Sequence, residues 1–99
     1  MSSPLPVVHN VSLRRFEDQT SDAPLSFLSY TLEGDWVVFD HTFVPDELRG
    51  RGIAAKLARA ALEEARQRRW KVVPRCSYVA AFINRHPEFT GLLPRELQR

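Results

Sequence analysis

Apolar residues change their spacing along the chain, and each change marks an element. Over residues 8–17, Val11 and Leu13 fall on one side of an expected strand, with Phe16 out of phase. Alternation over residues 25–32, with Phe27, Leu28, Tyr30 and Thr31, predicts a second strand. The Ser, Asp and Pro content of residues 19–24 predicts the turn between them. The run Trp-Val-Val-Phe-Asp-His-Thr-Phe-Val over residues 36–44 predicts a third strand, entered through a hairpin at Glu33-Gly34-Asp35. Pro45 has no N–H to give to a ladder and ends it.

Over residues 52–69 the spacing becomes helical. At about 100° per residue, Ile53, Ala54, Leu57, Ala58, Ala61, Leu62 and Ala65 share one broad arc. Lys56, Arg59, Glu63, Arg66 and Gln67 lie on the other, and Arg66-Gln67-Arg68-Arg69 forms a solvated end that complements the helix dipole. Glu64 falls inside the apolar arc, and nothing in the pattern accounts for it. Lys71-Val72-Val73-Pro74 reads as a short strand, parallel to its neighbour because a helix crosses over before it. Ser77 is the expected N-cap of a helix over residues 78–85, stopped by Pro87. The remaining tail covers the core through Leu92 and Leu93. The order is β-β-β-α-β-α, an α/β (α+β) chain with a mixed sheet.

A chain of 99 residues is expected to form one domain over 1–99, with its core at about 8–89 and a tail at 90–99. Trp36, Trp70, Phe27, Phe39 and Phe82 are expected in that core, and His9 and His86 at the surface or in caps. The single cysteine, Cys76, excludes an internal disulfide, and no His/Cys group has zinc spacing. Residues 1–6 lack the pattern of a secretory signal, and no apolar run reaches membrane-spanning length. These features predict a soluble, cytoplasmic protein, a monomer or weak homodimer. The net charge of +2 comes almost entirely from arginine, which pairs well with phosphate. Arginine-rich coding gives the same excess, so charge alone decides little. Acidic and basic residues interleave along the helix, which argues against a nucleic-acid surface.

The glycine-rich stretch between the third strand and the helix changes the picture. Unpaired N–H groups at a helix N-terminus favour an anion, and Gly50 and Gly52 let one approach the main chain. A Walker A loop needs Gly-Lys-Ser/Thr, whereas Gly52 is followed by Ile53-Ala54-Ala55-Lys56. A Rossmann fingerprint needs an acidic strand end, absent near Val73. Val44-Pro45-Asp46-Glu47-Leu48-Arg49-Gly50-Arg51-Gly52-Ile53-Ala54 instead resembles the signature of the GNAT N-acetyltransferases, with Arg49, Gly52 and Ala54 in its three defining places. His41-Thr42, the stretch from Val73 to Ile83 and Arg85-His86-Pro87-Glu88-Phe89 resemble the miniature single-domain branch of that superfamily.

That resemblance implies an acetyl-CoA-binding fold whose sheet splays open between the third and fourth strands. The cofactor pyrophosphate would lie on Arg49, Gly50, Arg51, Gly52, Ile53 and Ala54, and its pantetheine arm along the backbone of Phe43 and Val44. Ser77, Asn84 and Arg85 are assigned to the cofactor side by the same resemblance. It also implies acetyl transfer to an amine, which needs a proton acceptor for the amine and a proton for the leaving thiolate. The family's usual tyrosine acid is replaced by Asn84, and Tyr78, almost two turns earlier, is not an obvious substitute. Cys76, between a strand end and a helix N-terminus, is a candidate acetyl acceptor or proton donor, or else a small buried hydrophobe. His41, on the central strand, is the candidate base, or else a structural histidine. The alternation of the strand puts Asp40 on the opposite face from His41, so both cannot point at one thioester.

Full members of the family carry helices between their first two strands, where this chain has only the turn at residues 20–24. The acceptor site is therefore expected to be open, shared with a second subunit, or suited to an exposed amine such as a protein lysine. Two further functions remain beside acetyl transfer: a CoA-binding module with little catalysis, and a nucleic-acid-binding domain.

Overall fold

The computed structural model describes residues 7–19 and 25–97. The turn expected over residues 20–24, the N-terminal segment 1–6 and residues 98–99 lie outside them. Five strands form one sheet in the order β1 (Val7–Asn10), β2 (Arg15–Asp18), β3 (Ser26–Glu33), β4 (Trp36–Phe43) and β5 (Lys71–Pro74). The first four are antiparallel, and β5 runs parallel to β4 after the crossover helix α1 (Ile53–Arg68). A second helix, α2 (Ser77–Arg85), follows β5, and a 3-10 turn (Pro87–Leu92) follows that.

The strand expected over residues 8–17 is two strands, which is a correction. The Asn10 side chain accepts the Leu13 N–H at 3.1 Å, the Arg14 N–H donates to the Val11 carbonyl, and Arg14 takes φ 54°. The chain therefore reverses at residues 11–14. Val11 and Leu13, expected on one side of a single strand, stand at the tip 64% and 57% exposed. Phe16 looked out of phase because it belongs to β2, where it is buried. The other hairpin turns at Gly34, whose φ of 61° is the only positive one between Glu33 and Trp36. That is the type II′ arrangement, whose twist suits antiparallel strands.

Helix α1 buries Ile53, Leu57, Ala58, Ala61, Leu62 and Ala65 against Phe16, Leu28, Tyr30, Val37 and Phe39 of the sheet. Fully burying a leucine contributes roughly 1.5–3 kcal/mol. Alanines at 58, 61 and 65 let the helix backbone lie close to the strands. Glu64 now has an explanation. It bonds Arg68 and lies 3.8 Å from His9 on β1. His9, expected at the surface, is instead packed inward: its ring stacks on Phe16 at 4.3 Å and its Nε2 meets the Tyr30 hydroxyl at 2.6 Å. His86 does cap, its Nδ1–H donating to the Phe82 carbonyl at 2.9 Å. Phe89 of the 3-10 turn is fully buried, and Leu92 and Leu93 pack on the core beside it. Phe39 and Phe82 are core and Trp70 packs against it, but Phe27 and Trp36 lie half-buried outside that cluster. Ser77, expected as the N-cap of α2, is its first helical residue, and Cys76 occupies the cap position.

Two irregularities open the sheet. The β3–β4 register shifts between Ser29 and Tyr30, leaving Asp40 as an extra residue in β4. The β4–β5 ladder ends at the pair Phe39 and Pro74. The Cys76 N–H makes one more bond, to the Phe39 carbonyl at 2.8 Å, after the chain has bent at Arg75. Residues 41–43 of β4 thus keep β3 as a partner and have no ladder partner on the β5 side.

Candidate active site

Where the strands part, β4 ends and the chain enters a short 3-10 turn (Asp46–Leu48), then residues 49–52, then α1. Gly50 and Gly52 have φ 84° and 77°, the left-handed region that glycine occupies without strain. A Cβ built on either glycine would meet nothing within 4 Å, so the space beside the loop is open. Gly52 is the N-cap of α1, no side chain caps the helix, and its first turn holds no acidic residue. The first N–H groups of α1 therefore keep their donors free, and the dipole's positive end is unneutralised.

A cavity of about 400 Å³ lies against this end, lined by Thr42, Val44, Leu48, Arg49, Gly50, Gly52, Ile53, Ala54, Ala55 and Tyr78. It is of small-molecule size, with apolar walls from Val44, Leu48 and Ile53. Among the described residues Arg49 pairs only with Asp46, at 3.3 Å, and both side chains are largely exposed. Such a pair contributes little and leaves the guanidinium able to turn toward an anion. Free helix-end donors, glycines with open flanks and a nearby arginine fit a pyrophosphate.

The anticipated site residues divide between several places. Val44, Arg49, Gly50, Gly52, Ile53 and Ala54 line the cavity together. Arg51 is exposed beside them in the loop, and Ser77 is exposed at the start of α2 next to Tyr78. Asn84 stands apart, lining a separate cavity of about 250 Å³ with Pro74, Ala80, Ile83 and Leu93. Arg85 is exposed in the last turn of α2. Cys76 is half-buried, its Sγ 3.3 Å from the Thr42 hydroxyl on the cavity wall. Phe43 and His41 are exposed, and their rings flank Phe27 at 5.6 and 6.3 Å.

Asp40 departs from the alternation argument. Its carboxylate accepts a hydrogen bond from Thr31 and lies 3.4 Å from Arg75. Thr31 and Ser29 share one face of β3, and Ser29 is the partner of His41. The extra residue resets the phase of the strand, so Asp40 and His41 reach the same face. Thr42 and Tyr78 are wall residues that the sequence reading passed over. Thr42 lies two residues before the wall residue Val44, at strand spacing, which was a usable signal. Tyr78 was discounted for its distance from position 84, but the start of α2 is the end that meets the cavity.

Residues 15–92 match the family described as GCN5-related N-acetyl-transferase. That span is most of the chain, and the chain belongs to this family of acyltransferases. Protein NATD1 of mouse is 34% identical over 98 residues, covering 97% of this chain and 84% of its own length. Human Protein NATD1 is also 34% identical, over 97% of this chain and 82% of its own. The solution structure of a GCN5-like protein from Staphylococcus aureus superposes with a TM-score of 0.70 at 24% identity, over 94% of this chain and 91% of that one. The last likeness is one of fold.

Proposed function

We propose that this acyltransferase is an acetyl-CoA-dependent N-acetyltransferase acting on an exposed primary amine, such as a protein lysine. One observation supports it above all: the uncapped N-terminus of α1 opens onto the 400 Å³ cavity, flanked by glycines at φ 84° and 77°. When bound, acetyl-CoA supplies the acetyl group as a thioester. The N–H groups at Gly52, Ile53 and Ala54 hold the phosphates, with Arg49 turning from Asp46 to close on them. Val44 and Ile53 give the apolar part of the wall, and the unpaired edge at Phe43 and Val44 offers backbone groups for an amide-bearing arm.

The proton steps fall to side chains at the parting of the strands. Cys76 is the proton donor for the leaving thiolate, its Sγ 3.3 Å from the Thr42 hydroxyl on the cavity wall. His41 is the base for the incoming amine, on the side of β4 away from the cavity wall, with Asp40 now on the same face. No helix precedes β3 to enclose that side among the described residues, which favours an acceptor that docks from outside.

The reading is tested by calorimetric titration with acetyl-CoA, beside a Gly52→Trp variant, followed by turnover assays with small amines and a lysine peptide. Saturable binding that the variant loses, with turnover on the peptide, is expected. Binding without turnover on any amine would leave a CoA-binding module instead, and no binding in the millimolar range would overturn the assignment. For the two catalytic assignments, a His41→Ala variant with an unchanged pH–rate profile removes His41. A Cys76→Ala variant with an unchanged rate, and no acetyl adduct in the wild-type mass, removes Cys76.

A further inference from the structure

A second cavity, about 370 Å³, lies at the opposite end of α1 and is lined by Arg66, Arg69, Trp70, Lys71, Glu88 and Leu92 among others. The 16 residues of α1 separate it from the glycine loop by about 24 Å at 1.5 Å per residue. Its charges are unbalanced. Arg66 is paired with Glu63 at 3.1 Å, and Glu88 lies 3.7 Å from Arg59. Arg69 and Lys71 have no carboxylate partner among the described residues. The Lys71 ammonium lies 5.4 Å over the Trp36 ring, and together with the Arg69 guanidinium it outweighs the partial negative charge of about half a unit at the α1 C-terminus.

The cavity is also held in place. Trp70 is anchored by Tyr30 and His9, each with a ring centroid 5.8 Å away, and its backbone N–H donates to the Ala65 carbonyl at 2.9 Å. Arg69 ends the helix at φ 60°, the left-handed cap position where glycine is the usual occupant. A side chain held there at a conformational cost lines the cavity with no carboxylate partner among the described residues, and that strain points to a role beyond folding.

We infer that this cavity binds a small organic oxyanion, a carboxylate or phosphate ester on a flat apolar body. Arg69 and Lys71 meet the anion, and Trp70 and Leu92 meet the apolar part. Charge-assisted bonds from two cations suit either anion, and the apolar wall excludes a preference for bare inorganic ions. The site is separate from the glycine loop and does not depend on the transferase reading.

The probes are phenyl phosphate and benzoate, titrated into the ¹⁵N-labelled full chain and followed at the Trp70 indole N–H and the amides of residues 69–71. Saturable shifts at those positions are expected for at least one probe, weakening as salt is raised. The two arms separate a phosphate ligand from a carboxylate. Arg69→Gly removes the guanidinium while relieving the backbone, so it folds at least as well as the parent and should raise Kd by about tenfold or more. Lys71→Gln should weaken binding in the same direction, and Gly52→Trp should leave it unchanged. The inference is overturned by shifts that stay linear to about 10 mM, by shifts confined to residues 50–56, or by an Arg69→Gly variant that binds like the parent.

Discussion

The two ends of α1 place backbone in the same left-handed region and fill it with opposite residues. At the N-terminal end Gly50 and Gly52 occupy φ 84° and 77°, and the space beside them is empty. At the C-terminal end Arg69 occupies φ 60° with a full side chain. In the proposed cofactor site, glycine leaves the main-chain donors open to a ligand. In the inferred anion site, a side chain does the recognising and its backbone strain is accepted. Between these ends, the apolar arc holds the helix to the sheet and sets the distance from one end to the other.

The largest test removes that common support. Leu62→Ala, at a fully buried position, should lower stability by about 2–5 kcal/mol in chemical denaturation. Loss of less than about 1 kcal/mol would mean that α1 is held elsewhere. Next, Gly52→Val forces a β-branched residue to φ 77°, which costs roughly 1–2 kcal/mol. It should also weaken acetyl-CoA binding by about tenfold or more in calorimetry. Unchanged affinity would mean that the glycine serves the turn alone.

A third test uses pH and the contacts that bind β1 to the middle of α1. Burial holds the His9 pKa below its ordinary 6.5, reinforced by Arg68 and opposed by Glu64. The unfolded chain therefore binds the proton first as pH falls, so stability present above 6.5 is lost progressively below it. Burial pushes the Glu17 carboxyl upward, but hydrogen bonds from Arg15, Asn10 and Gln19 outweigh this and hold it below 4.5. Its contribution is present above 4.5 and is lost at lower pH. Thermal melts should show both steps, and His9→Gln should remove only the first. The smallest effect is Arg69→Gly, which should raise stability by up to about 1 kcal/mol by relieving the cap. A loss of stability would show that the arginine's contacts exceed its strain.

Legibility followed the physics of each segment. The helix was readable because Ile53, Leu57, Ala61 and Ala65 repeat at a period that only a helix serves. The strand Lys71–Pro74 was readable because Pro74 bounds it. The glycine loop was readable because chemistry and position coincided there. The first hairpin was not, since Val11 and Leu13 are strand formers placed at a tip and the turn depends on the Asn10 side chain and a left-handed Arg14. The bulge was invisible, because it lies in the register between Ser29 and Tyr30 and not in any single residue. Everything inferred by alternation across it, above all the separation of Asp40 from His41, failed for that reason. Glu64 looked misplaced only because its neighbour His9 lies 55 positions earlier in the chain.

The extra residue in β4 also has an evolutionary consequence. A single-codon deletion at Asp40 would heal the bulge, and the side chains from 41 to 43 would keep both their faces and their β3 partners. The Thr42 hydroxyl would stay on the cavity wall, and only the carboxylate beside His41 would be lost. The glycine loop and the helix would be untouched. This position lets insertion and deletion, as well as substitution, add or remove a carboxylate beside His41 while the scaffold around it keeps its sequence.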